Sequence, residues 1–563
     1  MARLLLSLVV ALSFAGVRGS AGSGGADDNP KNGPVRFDGR ITTDDAKVKF
    51  QLGSKSVEMR AKPFDVPLVA GKRYTIAMNA VEPAKAANPF MRRFDPYLVV
   101  QDADGKTLAH DDDSGGNRNA KLTLSVPKDG SYRVYAAALF GTGAFVVTVS
   151  EANIFRQGFP AGKNHSADLS TCETGWEIDW EITNPDNGAG KFSSPSSVLA
   201  IRSAKFLFKD AHGKQRWFTV LKNLEVGEIL VPYDHLRPVF MDVSEHPFHI
   251  VPAKKEYLGP ACVVPGEILG STDPRMKNRV LKEVHDDGLR WMNSSEHARR
   301  GEKMLVWAIF NGGNYRYIIE YGFGDDGVIT CRLGATAHNF FDKQTDGRDV
   351  HLHVACWRWD PEMCEETAGH TAGGAKENRV LLVRRVPSAP VPNGKFRVDI
   401  GPFNPDDKGQ ATEGFADWKA EEFTTLRVES AERTNSSKNP RFTAYDLVPQ
   451  RQGAVRNYPW KYAFANHDFW VTHQRTGQAK YSEVPLYAMR SDPLAGAACT
   501  IWHNAASLHV PRGEDYGSDG VSSRKGAAIT NWAGFMLRPV NLFDSTPLYE
   551  PAAKAGDGTP AGR

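Results

Sequence analysis

The chain has 563 residues, of which 41% are hydrophobic and 10% aromatic, so it can bury the cores of two or three domains. Lys and Arg (69) nearly balance Asp and Glu (66), and no basic stripe stands out, which argues against nucleic acid as a partner. The 52 glycines and 34 prolines are typical of a protein rich in strands and turns.

The chain begins with the pattern of a secretory signal peptide. Residues 1–21 contain one early arginine, an apolar run and then small residues. That run is too short to span a membrane, and no later stretch is apolar enough to do so. We therefore expect an exported protein, periplasmic or extracellular. Residues 22–35 have the composition of a flexible leader, and residues 552–563 that of a disordered tail.

Residues 36–151 consist of short apolar runs separated by turn signals. RYTIAMNAV, YLVVQD and KLTLSV are examples of the runs, and Asp104-Gly105 and Asp129-Gly130 are two of the turns. This spacing predicts a β-sandwich. The phrases FDPYLVVQDADGKTLAHDDDS and PKDGSYRVYAA resemble the pre-peptidase C-terminal domain, a jelly-roll module of exported bacterial enzymes. The acidic run 111–113 suits Ca²⁺, although such a run is more often a solvated loop.

Residues 152–172 bear Gly, Pro and Asn without clear periodicity, so we place a linker there. From 173 to 551 strand patterns return and helical periodicity is weak, which predicts a second, mainly β domain. Within it, the run from Phe310 to Gly334 alternates apolar and other residues around a Gly/Asp turn. It is typical of a hairpin, and the sequence NYRY lies near its start.

Three histidines are candidate metal ligands. His351 and His353 form an HxH pair on a predicted strand, where side chains two apart share a face and can bind one ion. His509, in SLHVPRGED, is a third candidate on a strand-like segment. Imidazole ligands without thiolate suit Cu(II), Zn(II) or Ni(II). An HxH pair alone is weak evidence in a chain with 16 histidines.

Longer segments around these histidines carry a family resemblance. HLHVACWRWDPEM, YAFANHDFWVT, IWHNAASLHVPRGED and GFMLRPVNLFD follow one another in the chain, with VPYDHLRP, DVSEH, EYLGPAC and GGNYRY upstream. Together they resemble the catalytic domain of copper-containing amine oxidases, in register from Trp176 to Pro551. Several blocks in the same order are far more specific than any single motif. The resemblance implies a large antiparallel β-sandwich that assembles as a homodimer.

The resemblance also implies a chemistry. The three histidines bind Cu(II), and Tyr315 is converted by copper and O₂ into topaquinone. This cofactor oxidises a small primary amine to an aldehyde, with release of ammonia and hydrogen peroxide. Asp242 matches the base that removes the α-proton, with a pKa raised by burial, and Tyr233 matches a tyrosine that hydrogen-bonds the cofactor oxygen. We expect Asn314 to hold the ring and Gly313 to leave it room to turn.

The chain departs from the family pattern at several positions. Asn311 stands where the family has Thr or Ser, and Arg316 stands where it has Asp or Glu. Strand alternation places Arg316 on the face opposite Tyr315, so we expect a modest effect. Cys262 matches half of a family disulfide, but its partner region, LKEVHDDGLRW, contains no cysteine. Asp360 and Glu362 match part of a peripheral Ca²⁺ site, which we regard as incomplete.

Two other functions remain open. The first is a copper-binding relative without catalysis, in which Tyr315 stays unmodified and the protein acts as an exported binding or scaffold protein. Asn311 and Arg316 motivate this alternative. The second is a zinc hydrolase that uses the three histidines with Asp242, although a carboxylate near a metal does not by itself define a hydrolase. The identity of the amine cannot be predicted from these residues.

Overall fold

The structure is a computed structural model of the whole chain. It describes residues 35–52, 55–81, 94–112, 119–159, 169–183, 197–210, 212–234, 238–246, 248–294, 297–339, 350–365, 378–387, 396–435, 439–474, 481–495, 497–516 and 526–544. The predicted signal peptide, nearly all of the leader, the tail and Asp113 lie outside these ranges. Among the described helices, none has the length and apolarity needed to cross a bilayer.

Short strands make up the first part of the chain, as the alternation of apolar residues predicted. They are β1 (Val35–Ile41), β2 (Lys47–Leu52), β3 (Lys55–Leu68), β4 (Arg73–Val81), β5 (Asp95–Gln101), β6 (Thr107–Asp111), β7 (Ala120–Ser125), β8 (Gly130–Phe140) and β9 (Gly143–Glu151). They form two antiparallel sheets, in the orders β1-β9-β4-β7 and β2-β3-β8-β5-β6. Buried residues from both sheets share one core, which includes Ile76, Leu98 and Val134. The likeness of this region to the pre-peptidase C-terminal domain stays a prediction.

The next strands carry the chain into two larger sheets. They are β10 (Asn153–Phe159), β11 (Thr174–Ile182), β12 (Leu199–Lys209), β13 (Gln215–Pro232), β14 (Val239–Met241), β15 (His249–Ile250), β16 (Val264–Ile268), β17 (Leu281–Ser294), β18 (His297–Gly312), β19 (Tyr315–Gly324) and β20 (Ile329–Ala337).

Strands also dominate the last part of the chain. They are β21 (His351–Glu365), β22 (Arg379–Pro387), β23 (Phe396–Pro402), β24 (Gly414–Ala416), β25 (Thr425–Thr434), β26 (Phe442–Gln450), β27 (Phe469–His473), β28 (Cys499–His509) and β29 (Ala528–Val540). The described α-helix is the single turn α1 (Val484–Ala488). Short 3₁₀ turns cover Leu169–Thr171, Lys255–Tyr257, Ala420–Glu422, Trp460–Ala465, Tyr481–Glu483 and Gly513–Tyr516.

Strand β10 corrects the predicted linker. We assigned residues 152–172 to a linker, but Asn153–Phe159 pairs with β11 as the edge of a large sheet. The reason is that Phe155, Gln157 and Phe159 alternate towards the interior while the backbone satisfies its hydrogen bonds against β11. Residues 160–168 lie outside the described ranges.

Two large antiparallel sheets form the second part of the molecule. The nine-stranded sheet has the order β10-β11-β12-β13-β21-β28-β27-β24, with β14 added beside β13. The eleven-stranded sheet has the order β16-β17-β18-β19-β20-β29-β26-β25-β22-β23, with β15 added beside β18. The predicted fold class, mainly β with a large antiparallel sandwich, is therefore confirmed.

The core lies between these two sheets. Trp176 of β11 contacts Phe206 on its own sheet, at 4.8 Å between ring centroids, and Phe323 on the opposite sheet, at 5.3 Å. Its indole nitrogen donates to the Gly324 carbonyl at 2.8 Å. Trp357 of β21 meets Phe535 of β29 at 5.6 Å. The two sheets are thus joined by apolar contacts and by buried polar contacts.

Candidate active site

Strand register brings the three histidines together. His351 begins β21 and His509 ends β28, and the two are direct partners in the antiparallel pairing. His353 is two residues along β21, so its side chain shares the face of His351. All three are almost completely buried, at 2%, 1% and 2% exposure in chain order. We call this group the three-histidine centre.

The ring nitrogens of this centre converge. Nε2 of His351 lies 3.1 Å from Nε2 of His353 and 3.3 Å from Nδ1 of His509. Nitrogen ligands about 2.0 Å from a metal ion are themselves roughly 3 to 3.5 Å apart. The spacing therefore fits a single ion held by two Nε2 atoms and one Nδ1 atom.

The protonation of the centre also fits a cation. Nε2 of His509 lies 3.0 Å from Oδ2 of Asp515, so this nitrogen carries the proton and Nδ1 presents a lone pair to the centre. Burial and the two neighbouring imidazoles push the pKa of His353 well below its usual range, which keeps this ligand neutral. Buried lone pairs that face one another are the arrangement a metal ion stabilises.

The hydroxyl of Tyr315 points into this centre. It lies 2.9 Å from Nε2 of His351 and 2.9 Å from Nδ1 of His509, and it can donate to Oδ1 of Asn339 at 3.1 Å. The side chain is 2% exposed. The residue predicted as the cofactor precursor is therefore within contact of the atoms predicted to bind copper.

A tight hairpin holds Tyr315 in place. Gly312 and Tyr315 pair across the β18–β19 turn, which leaves Gly313 and Asn314 at its tip. Gly313 has φ of +77° and nothing within 4 Å of a Cβ built on it, so the turn conformation requires glycine there, not room for the ring as we expected. The Asn314 amide donates to the His338 carbonyl at 3.0 Å and so anchors the tip, whereas we expected it to hold the ring.

Tyr317 connects the three-histidine centre to Asp242. Its hydroxyl donates to Oδ2 of Asp242 at 2.5 Å and lies 3.1 Å from Nδ1 of His353. Burial raises the pKa of Asp242 to about 7, although the hydrogen bond from Tyr317 acts in the opposite direction. The predicted rise of this pKa is thus borne out in direction. A carboxyl group that titrates near neutrality can accept a proton under ordinary conditions.

A second buried carboxyl lies behind Asp242. Glu228 accepts the backbone N–H groups of Ile229 and Val243, each at 2.9 Å, and burial raises its pKa to about 7. Because Val243 follows Asp242 directly, this bond fixes the backbone beside the predicted base. Sequence reasoning missed Glu228, which sits inside the apolar run of β13.

Tyr233 forms one wall of the site. Its ring stacks on His351, with ring centroids 4.4 Å apart and an angle of 23° between the planes. An isolated bridge between these two residues extends the β13–β21 pairing. The structure therefore brings all the predicted site residues to one end of the sandwich.

The two departures from the family pattern contact each other. Arg316 donates through Nη1 to the side-chain oxygen of Asn311, and it also reaches the carbonyls of Gly313 at 3.3 Å and Tyr315 at 3.2 Å. Nδ2 of Asn311 in turn lies 3.3 Å from Nε2 of His249. These contacts put Arg316 on the face opposite the three-histidine centre, as strand alternation predicted.

The carboxylates of the incomplete peripheral Ca²⁺ site are paired with basic side chains. Asp360 pairs with Arg358 at 2.9 Å, and Glu362 pairs with Lys222 at 3.1 Å. These two cations neutralise the carboxylates that Ca²⁺ would need, so we do not propose Ca²⁺ there. The acidic run 111–113 was the other candidate for Ca²⁺. Within it, Asp111 accepts the backbone N–H of Lys121 at 2.8 Å, and Asp113 lies outside the described residues.

Sequence reasoning missed several residues of the site. Asn339 receives the Tyr315 hydroxyl, Tyr317 bridges to Asp242, and Asp515 orients His509. Tyr317 was visible as the residue two positions after Tyr315, on the same strand face. Asp515 follows a metal-ligand histidine by six positions, and a carboxylate there is a reasonable partner for the second ring nitrogen. No local pattern marks Asn339.

The comparisons with known proteins agree with this geometry. Residues 284–555 match the family model of the copper amine oxidase enzyme domain. This range contains Tyr315 and the three-histidine centre, whereas Tyr233 and Asp242 precede it. The predicted resemblance is therefore confirmed: about half of the chain, residues 284–555, is similar to this enzyme domain.

Two of the curated relatives are amine oxidases. The chain is 23% identical over 378 residues to copper amine oxidase 1 of Aspergillus niger, covering 59% of this chain and 53% of that protein. It is 23% identical over 302 residues to primary amine oxidase of Klebsiella aerogenes, covering 44% of this chain and 35% of that one. The chain thus spans about half or less of the length of these relatives.

Solved structures of amine oxidases are also similar to the chain. A copper-containing benzylamine oxidase from Hansenula polymorpha aligns with a TM-score of 0.49 and 16% identity, covering 67% of this chain and 61% of that one. The amine oxidase of Aspergillus nidulans aligns with a TM-score of 0.44 and 16% identity, covering 62% and 52%. The family assignment rests on the sequence matches.

Proposed function

We propose that the protein oxidises primary amines to aldehydes, with Cu(II) in the three-histidine centre and a topaquinone made from Tyr315. The observation that carries this proposal is the Tyr315 hydroxyl, buried and 2.9 Å from two of the three converging ligands. A phenol held this close to the three-histidine centre would be within reach of a copper ion bound there. The family match of residues 284–555 supports amine oxidation as the reaction.

Copper would activate O₂, and topaquinone would supply a carbonyl that takes two electrons from the amine. The chain's own residues do the remaining work. The two sheets exclude water from the site, since Tyr315 and Tyr317 are both almost fully buried. Tyr233 stacks on His351 and restricts the rotation of that ligand.

Asp242 is the proposed base. It would take the proton from the substrate carbon next to the nitrogen, which requires the ionised carboxylate. Burial holds its pKa near 7, so near neutral pH both protonation states are accessible and the carboxylate can release the proton again. Tyr317 fixes its orientation through a 2.5 Å hydrogen bond. The amine therefore has to reach the side of Tyr315 that faces Asp242.

The mass of the peptide containing Tyr315 tests the proposal. The protein is produced without copper, treated with Cu(II) in air, digested and weighed. We expect Tyr315 to gain two oxygens and lose two hydrogens, and the protein to react with phenylhydrazine and release hydrogen peroxide with a primary amine. Tyr315→Phe should keep the copper and lose all three signals. An unmodified Tyr315 after copper and air would refute the proposal.

The copper-binding relative without catalysis remains the second candidate. The substitutions Asn311 and Arg316 at the Tyr315 hairpin favour it. In that case copper would bind with the same stoichiometry, while the peptide mass stays unchanged. A zinc hydrolase is less consistent with the geometry, because Asp242 bonds to Tyr317 and not to the three-histidine centre. Turnover of an ester or amide with zinc, but not with copper, would favour it.

We also propose that the protein is exported and forms a homodimer. The pattern of residues 1–21 supports export, and the family resemblance supports the dimer. Light scattering of the purified protein and N-terminal sequencing of the secreted form test these two points. A monomer, or a retained N-terminus, would contradict them.

A further inference from the structure

A second group of metal-binding side chains lies on strands that carry none of the three histidines. Cys262 precedes β16, and Glu283 and His285 lie on one face of β17. Backbone pairing of Val263 with Val284, at 2.7 Å, brings Cys262 beside the other two. Their ligand atoms all lie within 4.8 Å of one another. We propose that Cys262, Glu283 and His285 bind a Zn²⁺ ion, with water as the fourth ligand.

The distances suit a tetrahedral zinc site. Nε2 of His285 lies 3.2 Å from Oε2 of Glu283 and 3.9 Å from Sγ of Cys262. With zinc–nitrogen and zinc–oxygen bonds of about 2.0 to 2.2 Å and a zinc–sulfur bond of about 2.3 Å, the ligand atoms of a tetrahedron are about 3.3 to 3.7 Å apart. The two His285 distances are therefore within a few tenths of an ångström of this geometry, and the ligand atoms of Cys262 and Glu283 lie within 4.8 Å of each other.

The charge of the group also favours a bound cation. The Glu283 side chain is 7% exposed, and its ion-pair partner among the described residues is His285. The adjacent Lys282 pairs with Glu267 instead, at 2.8 Å. A buried carboxylate without a fixed positive charge is costly. Zn²⁺ would supply that charge, and no lysine or arginine of the described ion pairs does.

The carboxylate is already oriented for this role. Its Oε1 accepts the backbone N–H of Gly259, and its Oε2 accepts the indole N–H of Trp307 at 3.2 Å. Such bonds around a ligand hold its free lone pairs in a fixed direction. Burial and Glu283 raise the pKa of the Cys262 thiol, so the metal-free group holds a thiol and releases its proton when the ion binds.

Gly259 leaves the space that the ion and its water need. A Cβ at this position would lie 3.3 Å from Oε1 of Glu283, 3.6 Å from Cε1 of His285 and 3.8 Å from Sγ of Cys262. One residue position thus borders all three ligands, and it carries no side chain. Cys262 and His285 are half-buried, which leaves one side of the group accessible to solvent.

The proposed zinc site would take the place of the family disulfide that Cys262 is expected to have lost. The sequence predicted that Cys262 had lost its partner in the segment LKEVHDDGLRW. Cys262 forms no disulfide within the described residues, and it faces Glu283 and His285 of that segment. A zinc ion would join the loop at Cys262 to β17 in place of a sulfur–sulfur bond.

The experiment separates this site from the three-histidine centre. In a His351→Ala/His353→Ala variant of the full chain, zinc content after dialysis reports the second site alone. We expect one zinc per chain. Adding Cys262→Ser should weaken zinc binding at least about tenfold, because a thiolate ligand is lost. Cys364→Ser, which changes another half-buried thiol, should leave zinc binding unchanged.

Two further readouts use the wild-type protein loaded with copper. Co²⁺ added as a probe should give a thiolate-to-cobalt charge-transfer band that Cys262→Ser abolishes and Cys364→Ser retains. Zn²⁺ should raise the unfolding temperature of the wild type but not of the Cys262→Ser protein, while amine oxidation stays the same in both. Zinc binding of equal affinity in the Cys262→Ser and Cys364→Ser proteins would overturn the proposal, as would its absence from the double-alanine variant.

Discussion

Two buried carboxyl groups of the candidate site, Asp242 and Asp515, have surroundings that move their pKa values in opposite directions. Asp242 is buried, accepts a hydrogen bond from Tyr317 and lies 3.8 Å from the His246 ring, and burial raises its pKa to about 7. Burial also raises the pKa of Asp515, but hydrogen bonds from His509 and Arg512 outweigh this and hold it below its usual value. One carboxyl can therefore exchange protons while the other stays ionised.

The first prediction concerns Asp242. Asp242→Asn removes the proposed base and should lower kcat by about 10² to 10⁴-fold without preventing topaquinone formation. In the wild type, kcat/KM should rise with pH through about 7, because the carboxyl must lose its proton before it can accept one. Peroxide release from a primary amine measures both. Glu245→Gln, at an exposed ion pair with Lys461 nearby, is the matched control. An unchanged pH profile in the Asp242→Asn protein would contradict the assignment.

The second prediction concerns Asp515. Asp515→Asn weakens the bond that fixes the tautomer of His509, so copper affinity should fall about 10 to 100-fold. Excess copper should restore topaquinone formation, since the three ligands themselves remain. Competition titration with a chelator measures the affinity. The neighbouring Glu514→Gln variant should bind copper like the wild type. Equal affinity in the two variants would show that Asp515 does not orient the ligand.

At the scale of elements, the β18–β19 hairpin positions Tyr315 and Tyr317 at the candidate site. Arg316 ties the two strands together at the tip through Asn311 and the Gly313 carbonyl. The family pattern has Thr or Ser and an acidic residue at these two positions. Here Arg316 donates to Asn311, so the two side chains form a hydrogen-bonded pair across the hairpin.

The third prediction measures this coupling. In a cycle of Asn311→Ala, Arg316→Ala and the double variant, the unfolding free energies should show a coupling of about 0.5 to 2 kcal/mol. Denaturant unfolding at neutral pH provides these values. Arg300 and Asp286, an exposed pair on β17 and β18, form the control cycle, with an expected coupling below about 1 kcal/mol. If the coupling between Asn311 and Arg316 is no larger than in the control, their hydrogen bond does not stabilise the hairpin.

Strand patterns predicted the elements better than the links between them. The HxH pair and strand alternation correctly placed His351 and His353 on one face, because side-chain direction in a strand follows from spacing alone. The direct pairing of His351 with His509 could not be derived this way, since it depends on long-range register over 158 residues. Strand β10 was missed because its glycine and polar residues obscure the alternation.

At the scale of the whole molecule, a half-buried charge network joins the N-terminal sheets to the larger sandwich. Lys121 of β7 contacts Glu181 of β11, which also pairs with Arg202 at 2.7 Å. Burial raises the pKa of Glu181, but the two cations outweigh it and bring it to about 2. Glu181 is therefore ionised from neutral pH down to about 2, and the contribution of these ion pairs to stability is lost only as the pH falls through that value.

The fourth prediction tests this junction. Lys121→Ala should speed amide hydrogen exchange in β7 and β11 by loosening the contact between the two parts, while exchange in β19 stays unchanged. The free energy of local opening should fall by about 1 kcal/mol, because Arg202 still compensates the charge of Glu181. Hydrogen exchange followed by mass spectrometry measures it. Lys128→Ala, an exposed position in the same N-terminal region, is the control. Equal exchange in both variants would show that Lys121 does not hold the junction.

The division of the site between the two large sheets has one more consequence. Tyr315 lies on the eleven-stranded sheet and the three histidines lie on the nine-stranded sheet, so neither sheet alone contains all the residues of the proposed oxidation centre. Under the proposed chemistry the quinone's visible colour would develop only in molecules whose halves have docked correctly. The visible absorbance of the quinone, followed during refolding, would then report the fraction of molecules in which the two sheets have docked.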